Sequence, residues 1–480
     1  MVVEFTSQGW QSWDVERQPL IRDGMPILVD EDLRFADDGQ PRPAAVANRW
    51  LQELPVSGAP SPRTWRVYAQ VLRAWIEFLS DRGVDLFDSR TRLRAVLSAY
   101  AGHRFSSDLK DRWDSATWNL HVTVLSRFYR WAVDEGLASA VPFTYSLARR
   151  FADGYAVEVV RNNARLRSAK PHSTIKYLED DFVTLFENAL AGLHPNGGVD
   201  ERFRGRELGR NAAVGRAVTA SGLRRQEFSY LLTYEIPPLP NRRTVLPVPF
   251  PVGKAVTKGA KDRATWIDYD ALAEVHHYIA LERSSAADGF IWRPPARLGA
   301  PLHVEEPDWE GAHIDGVRRP WRLLSPPERL RLVSPEGGSC LLALQSTGAP
   351  FTDWATVFRR TSDRIRERFE PRFPNVSPHR LRHSFAMRTL ARLVEGYYQQ
   401  AAALVRDTDR DADAALALYL TKSDPLSVLR DLLGHSSVTT TEIYLRSLDV
   451  TRIYRDAYTK ATENAGLVES AEAAAESDQE

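Results

Sequence analysis

Three short segments in the C-terminal half carry side chains that could do chemistry together: ASGLRRQEFSYLL at 220–232, SPHRLRHSFAMRTL at 377–390 and LLGHSSVTTTEIYLR at 432–446. They supply Arg224, His379, Arg382, His383, His435 and Tyr444, and a β-favouring stretch after the first adds Lys254, Lys258 and Lys261. Planar guanidinium forks bind the non-bridging oxygens of a phosphodiester through paired hydrogen bonds. A tyrosine hydroxyl, with an ordinary pKa of about 10, attacks near neutral pH only with a positioned base and cationic surroundings. Histidine can be that base. A lysine reaching in from a hairpin can protonate a departing oxygen. The set suits phosphoryl transfer to a protein hydroxyl, with no metal and no cofactor required.

Taken singly, each residue has a plainer reading. Arg224 fits a surface ion pair with Glu227. His379 and His383 fit helix caps or satisfied core histidines, and the absence of a nearby carboxylate or cysteine pattern speaks against zinc. Tyr444 shares an amphipathic stretch with Ile443 and Leu448, where a buried tyrosine is ordinary, and Lys258 fits a solvated turn. Tyr454 and Tyr458 are rival hydroxyls further along. The combination and order of the residues set these readings aside.

The segments resemble those of the tyrosine recombinase (phage integrase) family. Gly222-Leu223-Arg224-Arg225-Gln226-Glu227 is similar to the family's Gly-Leu-Arg-x-x-Glu block, which makes Arg224 the first catalytic arginine. His379-Arg380-Leu381-Arg382-His383 resembles its His-x-Leu-Arg-His block, giving His379 the general acid/base role, toward the tyrosine proton, and Arg382 that of second arginine. Leu433-Gly434-His435 followed by Tyr444 resembles its Leu-Gly-His block and nucleophile. Lys258-Gly259-Ala260-Lys261 is similar to the family's hairpin turn, with Lys258 favoured and Lys261 the alternate. The resemblance implies a DNA strand-breaking and rejoining enzyme: Tyr444 forms a 3′-phosphotyrosyl link, Arg224 and Arg382 hold the phosphate, Lys258 protonates the 5′ oxygen and His435 hydrogen-bonds the phosphate. It further implies double-stranded DNA as partner, a homo-tetramer on DNA, accessory DNA-bending or directionality proteins, and integration or excision of a mobile element. A type IB topoisomerase-like relaxing enzyme and a catalytically silent DNA-binding regulator of the same fold are the alternatives.

The elements that must position these residues read as mainly helical with a small antiparallel β-sheet, an α+β chain with a helical core-binding domain and a catalytic domain. Ser61-Pro62 followed by Tyr68, Leu72, Trp75, Ile76 and Leu79 predicts a helix up to Gly83, and Trp118, Val122, Leu125, Phe128 and Trp131 predict another from Ser115 to Gly136. With a helical stretch at Leu93–Tyr100, residues 46–145 read as a helical bundle whose aromatics form a core. Residues 1–45 read as an N-terminal arm or cap, 146–176 as a basic linker, 177–465 as the catalytic domain and 466–480 as an acidic tail. Turn signals and β-favouring residues place a short sheet at about 243–268. Arg224 and His379 lie 155 positions apart and Arg382 and His435 lie 53 apart, which insertions near 285–350 and 391–425 would explain.

Composition bounds the rest. The 480 residues balance 63 Lys+Arg against 63 Asp+Glu, which argues mildly against a nucleic-acid partner. The balance hides 13 Lys/Arg against 5 Asp/Glu between Glu201 and Arg263, and 9 against 3 between Arg359 and Arg388. A single cysteine, Cys340, excludes internal disulfides and thiolate-rich metal sites. No apolar run long enough for a membrane span and no secretory signal are evident, so a cytoplasmic protein without membrane partners is expected. No Gly-rich phosphate loop supports nucleotide hydrolysis.

Overall fold

The computed structural model describes residues 1–7, 20–59, 61–106, 108, 111–152, 155–166, 175–244, 246–407, 424–435, 437–448 and 453. The fold is mainly α with small, chiefly antiparallel sheets. Two compact units divide the chain, Met1–His172 and Ser173–Glu480. Among the described residues no helix is long and apolar enough to cross a membrane.

The first unit is built on α1 (Pro43–Glu53), α2 (Pro62–Ser80), α3 (Arg90–Ser106) and α4 (Ser115–Asp134). Pro62 opens α2 because a first-turn residue needs no N–H partner. Ser61 takes the extended N-cap backbone, yet its hydroxyl makes no capping bond. Asp114 does cap α4, accepting from Thr117 N at 2.7 Å. Each helix stops within a turn of a glycine in the left-handed region, Gly83 at φ 57° and Gly136 at φ 70°. The expected aromatics form the core: Trp65, Trp75, Trp118, Phe128 and Tyr129 are buried together. Their polar ends are satisfied, since Trp75 Nε1 donates to Tyr129 Oη at 2.9 Å and that hydroxyl donates to Leu86 O at 2.9 Å.

Of the two readings for residues 1–45, arm or cap, the described residues fit the cap: β1 (Val2–Glu4) pairs with β2 (Pro26–Leu28), and Met25 and Leu28 enter the helical core. A second stretch differs from the sequence reading. The segment read as a linker contains an antiparallel hairpin, β3 (Tyr145–Ala152) with β4 (Tyr155–Asn162). It is fastened to α4 by Trp118 Nε1 donating to Ala164 O at 2.7 Å and Tyr145 Oη bonding Ser126 Oγ at 2.8 Å. Interspersed arginines broke the apolar alternation by which a strand is recognised.

In the second unit α5 (Asp180–Leu190) and α6 (Leu208–Ser221) pack with α8 (Tyr269–Tyr278) and α9 (Trp354–Arg368) around Phe186, Val218, Phe228 and Phe358. The short α7 (Arg225–Ser229) follows α6. The expected sheet is the hairpin β5 (Val248–Val252) and β6 (Arg263–Ile267). Residues near 285–350 are more than an uncored insertion. They form a four-stranded sheet, ordered β9 (Val317–Pro320), β8 (Gly311–Ile314), β7 (Leu302–Glu305) and β10 (Leu332–Val333), the last pair parallel. Val304, Ile314, Trp321 and Cys340 build its core together with Leu232. The fully buried Arg329 ties it down, pairing with Glu235 at 2.5 and 2.7 Å and donating to Tyr230 O at 2.9 Å. The stretch at 391–425 begins as helix, because α10 runs unbroken over Pro378–Asp407 before residues 408–423, which are outside the described set. The tail at 466–480, Tyr454 and Tyr458 also lie outside it.

Candidate active site

The site starts where α6 ends. Gly222 sits at φ 63°, and a Cβ there would lie 2.3 Å from Phe385 Cδ1 of α10, so glycine alone permits both the turn and the helix approach. The turn aims Gly222 O at Arg382, whose Nη1 donates to it at 2.6 Å. Arg224 is the N-cap of α7, and Glu227, three residues on, reaches back to accept from Arg224 N at 2.6 Å. Glu227 also accepts from Arg224 Nη1 at 3.1 Å, so the plain ion pair and the motif coexist.

The carbonyl end of α11 (Pro425–Leu433) collects three guanidinium groups. Arg224 Nη2 donates to Leu433 O at 3.0 Å, Arg382 Nη2 donates to the same oxygen, and Arg263 Nη1 donates to Leu432 O at 2.6 Å. A helix C-terminus has unpaired carbonyls and a negative dipole end, so cations belong there. Gly434 terminates the helix at φ 59°, with space for a Cβ closed by Arg263 Cδ at 2.8 Å. This explains the Leu-Gly-His spacing: the glycine frees the carbonyls that hold the arginines and turns the chain so that His435 follows.

Arg263 is the residue that sequence reasoning missed, and Glu227, read there only as the end of a motif and an ion-pair partner, has a larger part. Glu227 is buried and accepts from Arg263 Nε at 3.2 Å and Nη2 at 2.5 Å in addition to Arg224. Burial works to raise its carboxyl, but the hydrogen bonds and charges of Arg263 and Arg224 outweigh that and hold it below the ordinary carboxylate range. The signal for Arg263 was strand alternation. Arg263, Thr265 and Ile267 share one face of β6, and Thr265 Oγ1 donates to Ser221 O at 2.7 Å, pinning that face to the end of α6.

Tyr444 lies in a 3-10 turn, Glu442–Ser447, and is 1% exposed among Phe385, Leu390, Leu429 and Leu433. Its hydroxyl is hydrogen-bonded to His383 Nδ1 at 2.8 Å, and His383 Nε2 is 2.9 Å from His379 Nε2. His379, Arg382 and His383 stand on one side of α10 because positions three and four apart are helical neighbours. The His435 ring lies parallel to Tyr444 with centroids 6.5 Å apart, and its Nδ1 bonds Thr441 Oγ1 at 3.0 Å. Burial pushes the Tyr444 hydroxyl up to about 12 even against the opposing charges of Arg382 and Arg224. Burial first, and then surrounding positive charge, pushes His383 and His435 down to about 4 and lowers His379. Burial and the charges of Arg224 and Arg263 also depress Arg382. All three imidazoles are therefore neutral near pH 7.

An open cleft of about 870 Å³ lies between the end of α11 and the β5–β6 loop; its walls include Arg224, Lys258, Lys261, Arg263 and His435. Gly259 at φ 88° and Ala260 at φ 51° bend the loop, and Thr257 Oγ1 donates to Lys261 O at 2.7 Å. Both lysines are exposed on the cleft, so the geometry leaves Lys258 and Lys261 as equal candidates. Three of the six predicted residues, Arg224, Lys258 and His435, line this cation-rich cleft, while Arg382 is buried and shares Leu433 O with Arg224, and Tyr444 is buried with its hydroxyl on His383, whose ring also contacts His379. That arrangement can grip an anion with two oxygens and offer it a hydroxyl.

The first unit supplies an independent sign. Residues 47–136 match the family model for the phage integrase N-terminal SAM-like domain. The chain carries a phage-integrase SAM-like domain. Its resemblance to the tyrosine recombinases therefore extends from the motifs of the second unit to the helices of the first. No curated protein has a sequence that matches this one. Among solved structures, it is similar to XerA recombinase (16% identity, 87% of this chain and 98% of that one, TM-score 0.32). It is also similar to XerH site-specific recombinase bound to palindromic difH substrate in a post-cleavage complex (15%, 86% and 84%, TM-score 0.45). A third likeness is to the Tn1549 transposon integrase in complex with circular intermediate DNA (15%, 83% and 94%, TM-score 0.44).

Proposed function

We propose that this chain is a site-specific DNA recombinase that cuts and rejoins double-stranded DNA through a 3′-phosphotyrosyl intermediate, serving integration or excision of a mobile element. The observation that carries the reading is the convergence of Arg224 and Arg382 on one carbonyl, Leu433 O, in the same unit as the His383–Tyr444 hydrogen bond. Two forks held from one point present their remaining N–H groups to a common anion. A phosphodiester bound there gains negative charge as a fifth oxygen approaches, and preorganised cations stabilise that charge more than the ground state.

Tyr444 Oη attacks the phosphorus while the 5′ oxygen departs, so the phosphodiester bond energy is kept in the phosphotyrosyl link and no nucleotide is consumed. His379 serves as acid/base for the tyrosine proton, His435 as a phosphate donor, and Lys258, or Lys261 from the same loop, protonates the leaving 5′ oxygen. A 5′ hydroxyl from a second DNA end then reverses the step. On this reading four copies assemble on two duplexes, with the segment after Tyr444 docking on a neighbour, and DNA-bending or directionality proteins set the outcome.

The test is a nicked duplex carrying the ends of the chain's own mobile element, which traps the covalent intermediate because the short 5′ fragment diffuses away. A protein–DNA band on a denaturing gel that vanishes in Tyr444→Phe supports recombinase chemistry. DNA binding without a band, with accessory proteins added, supports the silent regulator instead. Relaxation of supercoiled DNA lacking those ends supports the topoisomerase-like reading.

A further inference from the structure

We propose that the tyrosine proton reaches the acid/base His379 by way of His383, which takes a proton from Tyr444 and passes one on, so that the two histidines act as one relay. The proposal rests on the phosphotyrosyl reading above. The nucleophile's hydrogen bond goes to His383 Nδ1, at 2.8 Å, and the other nitrogen of the same ring lies 2.9 Å from His379 Nε2.

Proton counting fixes what these contacts can do. A neutral imidazole carries one N–H, so two facing ring nitrogens at this distance need one donor and one acceptor. If His379 donates, His383 must hold its own hydrogen on Nδ1 and donate to the tyrosine, which leaves the hydroxyl undiminished. If His383 donates from Nε2, its Nδ1 is bare and accepts the Tyr444 hydrogen. In the second arrangement the bond from Oη to phosphorus forms as the tyrosine proton moves to His383 Nδ1 and the His383 Nε2 proton moves to His379 Nε2. The relay ends with His379 as the imidazolium, and His383 is neutral throughout. The leaving 5′ oxygen receives its proton from the loop lysine, and both transfers run backwards on rejoining.

Burial gives the relay its purpose. Tyr444 is 1% exposed, so its proton has no direct route to water. His383 is half-buried and His379 is exposed, which makes a path from the buried hydroxyl outward. The charged and titratable groups facing His383 are His379 and Arg382 on its own helix, His435 after α11 and Tyr444 itself; with Arg382 beside it, a lasting cation on His383 is disfavoured. Handing the charge on to the more exposed His379 lessens the burial part of that cost, while Arg382 and Arg224 still oppose a cation there.

The test compares covalent-complex rates of wild type, His383→Asn, His383→Ala and Lys258→Ala across pH 6 to 10 on the nicked duplex. Asn keeps a polar group near the Nδ1 position but cannot pass a proton on. His383→Asn should fall by about 10²–10⁴-fold at pH 7 and regain rate about tenfold per pH unit as hydroxide takes over, with DNA affinity unchanged. A duplex with a sulfur in place of the 5′ bridging oxygen, which needs no acid, should rescue a lysine variant and leave His383→Asn slow. A His383→Asn deficit that is the same at every pH, a rate equal to wild type, or rescue by the sulfur substrate would overturn the relay. If His383→Ala loses DNA binding while His383→Asn keeps it, the Asn profile decides. The underlying reading fails separately, by wild type giving no band that depends on Tyr444.

Discussion

Replacing Glu227 with glutamine should do more damage than removal of any single charge at the mouth of the cleft. The carboxylate is buried and accepts four N–H groups: Arg224 N and Arg263 Nη2 on Oε2, Arg224 Nη1 and Arg263 Nε on Oε1. Glutamine keeps one oxygen and turns an NH₂ toward two of those donors, so two attractive contacts become donor against donor. It also leaves Arg224, Arg263 and the buried Arg382 without their shared counter-charge. Breaking a buried ion pair from one side costs about 3–5 kcal/mol. Because Arg224 is 25% exposed, the lower end, about 3 kcal/mol, applies. For a unit of this size the transition containing Ser173–Glu480 should drop by roughly 5 °C. The sign of the pH dependence follows from the carboxyl being held below its ordinary value of 4.5. Its stabilisation is complete above that value and is lost as pH falls through the lower folded one. The gap between wild type and Glu227→Gln should therefore be full at pH 7 and shrink as pH falls below about 4.5. Thermal unfolding followed by far-UV circular dichroism from pH 7 to pH 3 checks both. A midpoint within about 1 °C of wild type at pH 7, or a gap that stays constant on acidification, would refute the hub role.

Three other substitutions separate positioning from bulk stability. Gly434→Ala places a side chain in the left-handed region, at about 1–2 kcal/mol, and pushes Arg263 from the helix end; calorimetry should show the modest loss and the trapping gel a much larger drop in covalent complex. Arg382→Lys keeps the charge but cannot span Gly222 O and Leu433 O with one fork, so cleavage should fall about 10²–10³-fold while DNA affinity in a filter-binding assay changes little. In the first unit Trp75→Ala removes a fully buried ring and leaves Tyr129 Oη without its donor, costing about 3–5 kcal/mol in urea unfolding, with the absorbance change confined to the transition containing Met1–His172.

The candidate site residues were legible because their spacing is itself a geometric statement. Gly222 before Arg224, His379 three and four positions before Arg382 and His383, and Gly434 before His435 each encode a turn or a helix face. Structure then gives the reason: the glycines free carbonyls that hold the arginines. The helices of the first unit were legible for a related reason, since α2 and α4 each run longer than the window in which a 3.6-residue period stands out. What stayed hidden was built from short or interrupted pieces. The strands at 302–333 are two to four residues long, and in most of them burial does not alternate, so no period-two pattern registers in the sequence. The β3–β4 hairpin is longer, but its arginines conceal it.

The link between Glu227 and Arg263 was hidden by a different cause. Each was visible as a residue, one as a helix-start acid and the other as a base at the head of a strand, and neither type announces a role without its partner. Only the fold brings α7, β6 and the end of α11 to one point, and there a single buried carboxylate orients two guanidinium groups while helix carbonyls hold all three. The cluster sets like charges together: burial first, and then the charges of Arg224 and Arg263, depress Arg382, and Glu227 offsets only part of this. On the proposed reading an anionic phosphate is bound by this cluster through charge as well as hydrogen bonds, so sulfate, as a phosphate mimic, should raise the unfolding midpoint of wild type more than that of Arg382→Lys.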